Sequence, residues 1–146
     1  KFTLSFPPTL SGSQGEFSIN HGFKAVQIGV SAWTAEALHN TMPMSVFSRS
    51  TECHNQDKVS MGTIAARDCI RVIELTEQVA AAVLLAASQA LRIRKERGEL
   101  TEDRLAGIKQ TYDQVFENFA PLACDRQLEP DLRKTLELIR EKHYAV

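Results

Sequence analysis

One long helical pattern, residues 56–97, constrains this chain more than anything else in it. At about 1.5 Å per residue it predicts a helix about 60 Å long. A compact globule of this chain length would be only about 38 Å across. The helix therefore cannot be fully wrapped by its own chain. Its middle, Val79 to Leu91, has only Ser88 and Gln89 as polar residues. A helix apolar all round needs cover on all sides, so partners must come from further polypeptide or from other subunits. Small residues (Ala80-Ala81-Ala82, Ala86-Ala87 and Ala90) allow close helix approach. A single-chain coiled coil fits less well, because the apolar positions do not keep a strict heptad. Arg92, Arg94, Lys95 and Arg97 put cations at the negative end of this helix, and Gly98 supplies its stop.

The flanking segments are also helical or irregular. Residues 1–20 read as loop, with Pro7-Pro8 and then Ser11-Gly12-Ser13-Gln14-Gly15. Residues 22–40 read as a helix, since Phe23, Val26, Val30, Trp33 and Ala37 recur at steps of three and four. Lys24 falls off that stripe. Pro43 ends the helix, and residues 42–54 read as loop. Residues 101–119 are an amphipathic helix capped by Thr101, with Glu102 and Asp103 in its first turn. Pro121 to Gln127 connects it to a last helix, residues 130–143, with Pro130 in the first turn and Leu132, Leu136 and Ile139 inward. The expected fold is all-α: a helical bundle built on the long central helix, with residues 1–146 as a single domain. The chain opens on Lys1 and goes straight into an extended, proline-containing stretch, which reads as the middle of a polypeptide: a fragment, an excised domain or a processed product.

Charge and cysteine usage narrow the function. The formal net charge is −1, so no strong field favours nucleic acid or an anionic membrane. The most apolar run, Val79 to Ala87, is too short to span a bilayer. Cys53, Cys69 and Cys124 form no metal or redox spacing, and their odd number suits a reducing cytoplasm. The four histidines pair with no cysteine in a zinc pattern, so no metal site is expected.

Chemistry concentrates at the head of the long helix. Glu52, His54, Asn55 and Gln56 flank Cys53, and Asp57, Lys58 and Ser60 follow. A carboxylate, an imidazole and two carboxamides in five positions make a dense polar cluster beside a helix N-terminus, where free N–H groups favour anionic ligands. An elaborate helix cap, with Asn55 or Ser60 as the capping residue and Asp57 in the first turn, is the plainer reading of the same residues.

Three motifs carry a resemblance. His54-Asn55-Gln56-Asp57, with Glu52 before it and Ser60-Met61-Gly62 after it, is similar to the aromatic amino acid ammonia-lyase family. That family holds the phenylalanine, tyrosine and histidine ammonia-lyases and the related aminomutases. Gly22-Phe23-Lys24 is a second match and Phe6-Pro7-Pro8 a third, in the family's order and spacing, over residues 4–97. The resemblance implies elimination of ammonia from an aromatic L-amino acid to give the trans-α,β-unsaturated acid. It also implies a cofactor, a methylidene-imidazolone formed from an Ala-Ser-Gly tripeptide that this chain lacks. On this resemblance the chain is the C-terminal portion of the enzyme, expected to be inactive alone and to contribute one wall of a site shared with the rest of the enzyme in a homotetramer.

The resemblance also assigns roles. Glu52 matches a glutamate near the substrate amine, where a carboxylate can hold the ammonium charge and take a proton. Asn55 matches a carboxamide near the cofactor and the substrate carboxylate. Gln56 stands where histidine ammonia-lyases have a glutamate. A neutral amide suits a phenyl or phenol ring better than an imidazole, so phenylalanine or tyrosine is the favoured substrate. His54 is a candidate for packing on the substrate ring, and Lys24 for pairing with Glu52 or with the substrate carboxylate. Histidine ammonia-lyase, an aromatic 2,3-aminomutase and a non-catalytic helical assembly module are the competing readings.

Overall fold

The computed structural model describes residues 20–56 and 58–144. The loop expected before Asn20, with its Phe6-Pro7-Pro8 motif, and the first-turn position of Asp57 lie outside the described residues.

The described chain is all-α. Helix α1 spans Lys24–His39, a 3-10 turn spans Met44–Phe47, and α2 spans Gly62–Glu96. Helix α3 (Glu102–Leu105) and a second 3-10 turn (Ala106–Ile108) lead into α4 (Lys109–Asn118), and α5 (Glu129–Arg140) closes the order. Helix α2 is the axis, 35 residues and about 52 Å long, and α1, α4 and α5 all pack on it. Phe23, at the start of α1, lies in one apolar cluster with Leu85, while Arg71 Nε donates to Glu36 Oε1 at 2.7 Å near the end of α1. Those two anchors run α1 antiparallel to α2.

The expected stripe of α1 holds: Phe23 is buried, and Val26, Val30, Trp33 and Ala37 are half-buried. The main core sits at the C-terminal half of α2. There Leu85, Val115, Phe119 and Leu122 are almost fully buried, and Leu138 and Tyr144 close over them. Gly98, with φ +71°, ends α2 as expected. The Glu99 N–H reaches back to Arg94 O at 2.9 Å and the Gly98 N–H to Lys95 O at 3.0 Å, so two terminal carbonyls are satisfied.

Four expectations change. The long helix begins at Gly62 rather than at residue 56, because the chain ahead of it is captured by tertiary contacts described below. Residues 101–119 are not one helix: the 3-10 turn at Ala106–Ile108 interrupts them around Gly107, whose missing Cβ lowers helix propensity. Thr101 stands at the start of α3 in extended backbone, but its side chain makes no capping hydrogen bond. The last helix starts at Glu129 and ends at Arg140, where Lys142 takes a left-handed conformation (φ +55°) and terminates it.

The middle of α2 is not covered on all sides. Leu75, Ala81, Leu85 and Gln89 are buried, but Ile73 and Val83 remain more than half exposed. Thr76, Ala80 and Ala87 share that exposed surface. Residues 73, 76, 80, 83 and 87 step by three and four in alternation. The buried face hides this seam in the sequence, and the seam is what an additional helix would pack against.

Candidate functional site

The polar cluster forms a tight, closed turn rather than the first turn of α2. Thr51 and Gln56 pair in both directions: Thr51 N–H donates to Gln56 O at 3.1 Å, and Gln56 N–H to Thr51 O at 3.2 Å. Between them, Glu52, Cys53 and His54 have φ of 52°, 54° and 68°. Three successive side-chain-bearing residues in the left-handed region are costly, each about 1–2 kcal/mol. Such conformations persist only where surrounding contacts hold them. Asn55 N–H donates to Glu52 O at 3.0 Å, closing the turn from inside.

A serine that the sequence reading did not single out holds the base. Ser48 Oγ donates to Val59 O at 2.7 Å and accepts the Val59 N–H at 3.0 Å. This clamp commits Val59 to a loop and is one physical reason why the helix starts at Gly62. Ser60 then lends its hydroxyl to the Gly62 N–H at 3.3 Å. The plainer cap reading is thus realised only weakly, by Ser60, and not by Asn55. The dense hydroxyl run Ser48-Arg49-Ser50-Thr51 is the only sequence signal for this scaffold. Beside it lies a groove of about 410 Å³ lined by Met44, Ser48, Lys58, Val59 and Met61, among others.

The side chains of the cluster divide into two kinds. Thr51 Oγ1 donates to Gln56 Oε1 at 3.2 Å, and Ser50 Oγ and His54 Nδ1 are 2.7 Å apart. Both contacts fix orientation: Gln56 keeps its amide hydrogens, and His54 keeps Nε2, for other partners. Glu52 and Asn55 use their side chains in no hydrogen bond or ion pair among the described residues. All four are exposed. The turn therefore presents an anionic oxygen pair, two carboxamides and an imidazole from a pre-shaped backbone.

Lys24 is not brought to this turn. It opens α1, whereas the turn follows the other end of that helix. The 16 residues of α1, about 24 Å of helix, and residues 40–51 lie between the two along the chain. Lys24 and Glu52 make no ion pair within the chain. Lys24 is exposed, and its N–H donates to His21 O at 3.2 Å.

Residues 1–115 match the family model for aromatic amino acid lyases. The chain belongs to the aromatic amino acid lyase family. Among curated relatives of this chain, the histidine ammonia-lyase of Natranaerobius thermophilus is 36% identical over 138 residues, covering 94% of this chain and 26% of the relative. The tyrosine ammonia-lyase of Cereibacter sphaeroides is 37% identical over 132 residues, covering 90% and 24%. The crystal structure of a tyrosine aminomutase from Streptomyces globisporus superposes with a TM-score of 0.73 at 31% identity, over 94% of this chain and 25% of that one. The chain thus spans about a quarter of the length of these relatives.

Proposed function

We propose that this chain supplies one wall of the active site of an enzyme that eliminates ammonia from an aromatic L-amino acid, giving the trans-α,β-unsaturated acid, with phenylalanine or tyrosine as the favoured substrate. The carrying observation is the Glu52–Gln56 turn, which holds four exposed polar side chains, two of them (Glu52 and Asn55) without a hydrogen-bond partner among the described residues, on a strained, doubly closed backbone inside a lyase-family chain. Glu52 holds the substrate ammonium and takes one of its protons, which frees the nitrogen lone pair before the C–N bond breaks; the Cβ proton goes to a base outside this chain, and the C–N bonding pair leaves with the nitrogen. Asn55 donates to the substrate carboxylate. Gln56, oriented by Thr51, faces the ring as a neutral group. His54, oriented by Ser50, packs along the ring edge.

The family's electrophile, a methylidene-imidazolone, activates the amine when present. It would be built outside this chain, which contains no Ala-Ser-Gly. The carboxamide of Asn55, donor and acceptor in one group, suits a neutral ring bearing a carbonyl.

Lys24 opens α1 and Glu52 lies beyond its other end; we read Lys24 as a partner of the substrate carboxylate and place the two in a site shared between different subunits. The exposed seam of α2 suits that arrangement, with the family's homotetramer as the assembly. The three free cysteines are all exposed, which suits a reducing, cytoplasmic setting.

Histidine as substrate is the second reading, favoured by the relatives that carry that name. Against it stands Gln56, where a carboxylate would match an imidazole better. The test is substitution in the complete enzyme. Glu52→Gln is expected to lower kcat by at least about a hundredfold, and Gln56→Ala to alter the ratio of kcat/KM between tyrosine and phenylalanine. Unchanged turnover and preference in both variants would overturn the assignment.

A further inference from the structure

The segment that leads into Lys24 is held by a residue from the far end of the chain. Asp125 Oδ1 accepts the N–H groups of His21 at 2.9 Å and Gly22 at 2.8 Å. Its Oδ2 accepts the His21 N–H at 2.7 Å and lies 3.4 Å from His21 Nδ1. Asp125 in turn donates its own N–H to Asn20 Oδ1 at 3.0 Å. Three consecutive residues are thus tied to one residue more than a hundred positions away. Gly22, at φ +58°, allows the two N–H groups to converge on a single carboxylate. Those N–H groups hold the Asp125 carboxyl below the usual carboxylate range, so it remains an acceptor at neutral pH.

The neighbouring contacts stiffen the same join. Phe23 is 4% exposed and its ring centroid lies 6.4 Å from that of Phe119. The Arg126 guanidinium lies 5.6 Å from the other ring's centroid, over Phe119. His21, fixed by Asp125, gives its carbonyl to the Lys24 N–H and so sets the first turn of α1. Asp125 lies outside residues 1–115, the stretch that carries the family match.

We propose that Asp125 is a positioning residue for Lys24: it fixes the His21–Gly22 turn from which α1 starts, and with it the place of the Lys24 ammonium in the substrate site. This rests on the reading of Lys24 as the partner of the substrate carboxylate. A carboxylate that merely stabilises the fold would make the same contacts but would act independently of Lys24.

A double-mutant cycle in the complete enzyme separates the two, with the amino acid it turns over as the probe. Asp125→Ala is expected to raise KM about tenfold while kcat changes less than about twofold. In a Lys24→Ala background the same change is expected to add nothing, because the side chain it positions is gone. Asp125→Asn keeps one acceptor oxygen and is expected to raise KM by only about threefold; it carries the test if the alanine variant does not fold. Unchanged KM in both Asp125 variants, or a full additional factor on top of Lys24→Ala, overturns the proposal. If Lys24→Ala itself leaves KM unaltered, the reading of Lys24 falls and the proposal falls with it. If Lys24→Ala raises KM and the Asp125 variants do not, only the proposal falls.

Discussion

The carboxamide of Gln89 pairs with the backbone of Leu122 in both directions. Its Nε2 donates to Leu122 O and its Oε1 accepts the Leu122 N–H, each at 3.1 Å, and both residues are essentially inaccessible to solvent. A side chain in the apolar middle of α2 thereby satisfies the connection between α4 and α5, where no helix supplies backbone partners. Gln89→Leu keeps the bulk and strands a buried N–H and a buried C=O. It is expected to lower stability by about 2–4 kcal/mol, read from the midpoint of urea unfolding. A midpoint unchanged from the parent would contradict the pairing.

Acid should destabilise the protein through identifiable groups. The N–H groups of His21 and Gly22 hold the Asp125 carboxyl below its ordinary range, a hydrogen bond from Arg71 does so for Glu36, and one from Lys95 for Glu102. A folded pKa below the unfolded value gives stability that is fully present above the unfolded value, about 4, and is lost as pH falls through the folded one. Thermal midpoints are therefore expected to hold steady down to about pH 5 and to fall below about pH 4. Added salt should weaken the exposed Glu36 and Glu102 pairs and leave the Asp125 contribution, which Asp125→Asn should reduce. A midpoint indifferent to pH between 5 and 3 would contradict this.

Alkali should act through the phenols. Burial pushes Tyr112 and Tyr144 above their ordinary values. With a raised folded pKa, the contribution is present below the unfolded value, about 10, and is lost as pH rises through the folded one. Thermal midpoints should decline above about pH 10, and less steeply in Tyr112→Phe. An equal decline in parent and variant would remove Tyr112 from the account.

The backbone of the polar turn makes a prediction that does not depend on chemistry. Cys53 sits at φ 54° with an exposed side chain. Glycine adopts that conformation freely, whereas a β-branched residue does so with difficulty. Cys53→Gly is expected to be neutral or to stabilise by up to about 1 kcal/mol, and Cys53→Val to destabilise by about 1–2 kcal/mol. The reverse order in chemical denaturation would mean that the turn is not left-handed.

The exposed seam of α2 should drive association. Ile73 and Val83 are 53% and 56% exposed, and Ile70, on the adjoining surface, is 58% exposed. The 146-residue chain is expected to self-associate in sedimentation velocity, and paired Ile73→Lys and Val83→Lys substitutions to shift it toward monomer. A monodisperse monomer from the unsubstituted chain would contradict the seam.

What could be read from sequence follows how local each determinant is. The stripe from Phe23 to Ala37 and the Gly98 stop use residues within a few positions of one another, and both appear as expected. The start of α2 was not legible, because the Ser48–Val59 clamp spans 11 positions and competes with a helical pattern already begun. Gln89 read as a stray polar residue in an apolar run, since its partner Leu122 lies 33 positions on. In the candidate site, the residue types at Glu52–Gln56 were legible and their left-handed backbone was not. Nor did sequence separate Lys24 from Glu52, because the antiparallel run of α1 on α2 is a tertiary fact.

The most direct test is ultraviolet absorbance of the complete polypeptide incubated separately with L-phenylalanine, L-tyrosine and L-histidine. The account predicts a conjugated acid growing in from phenylalanine or tyrosine, faster than any product from histidine, with Gln56→Glu moving that preference toward histidine by about tenfold or more. Product from histidine alone would overturn the role given to Gln56, and no product from any of the three would contradict the proposed elimination itself.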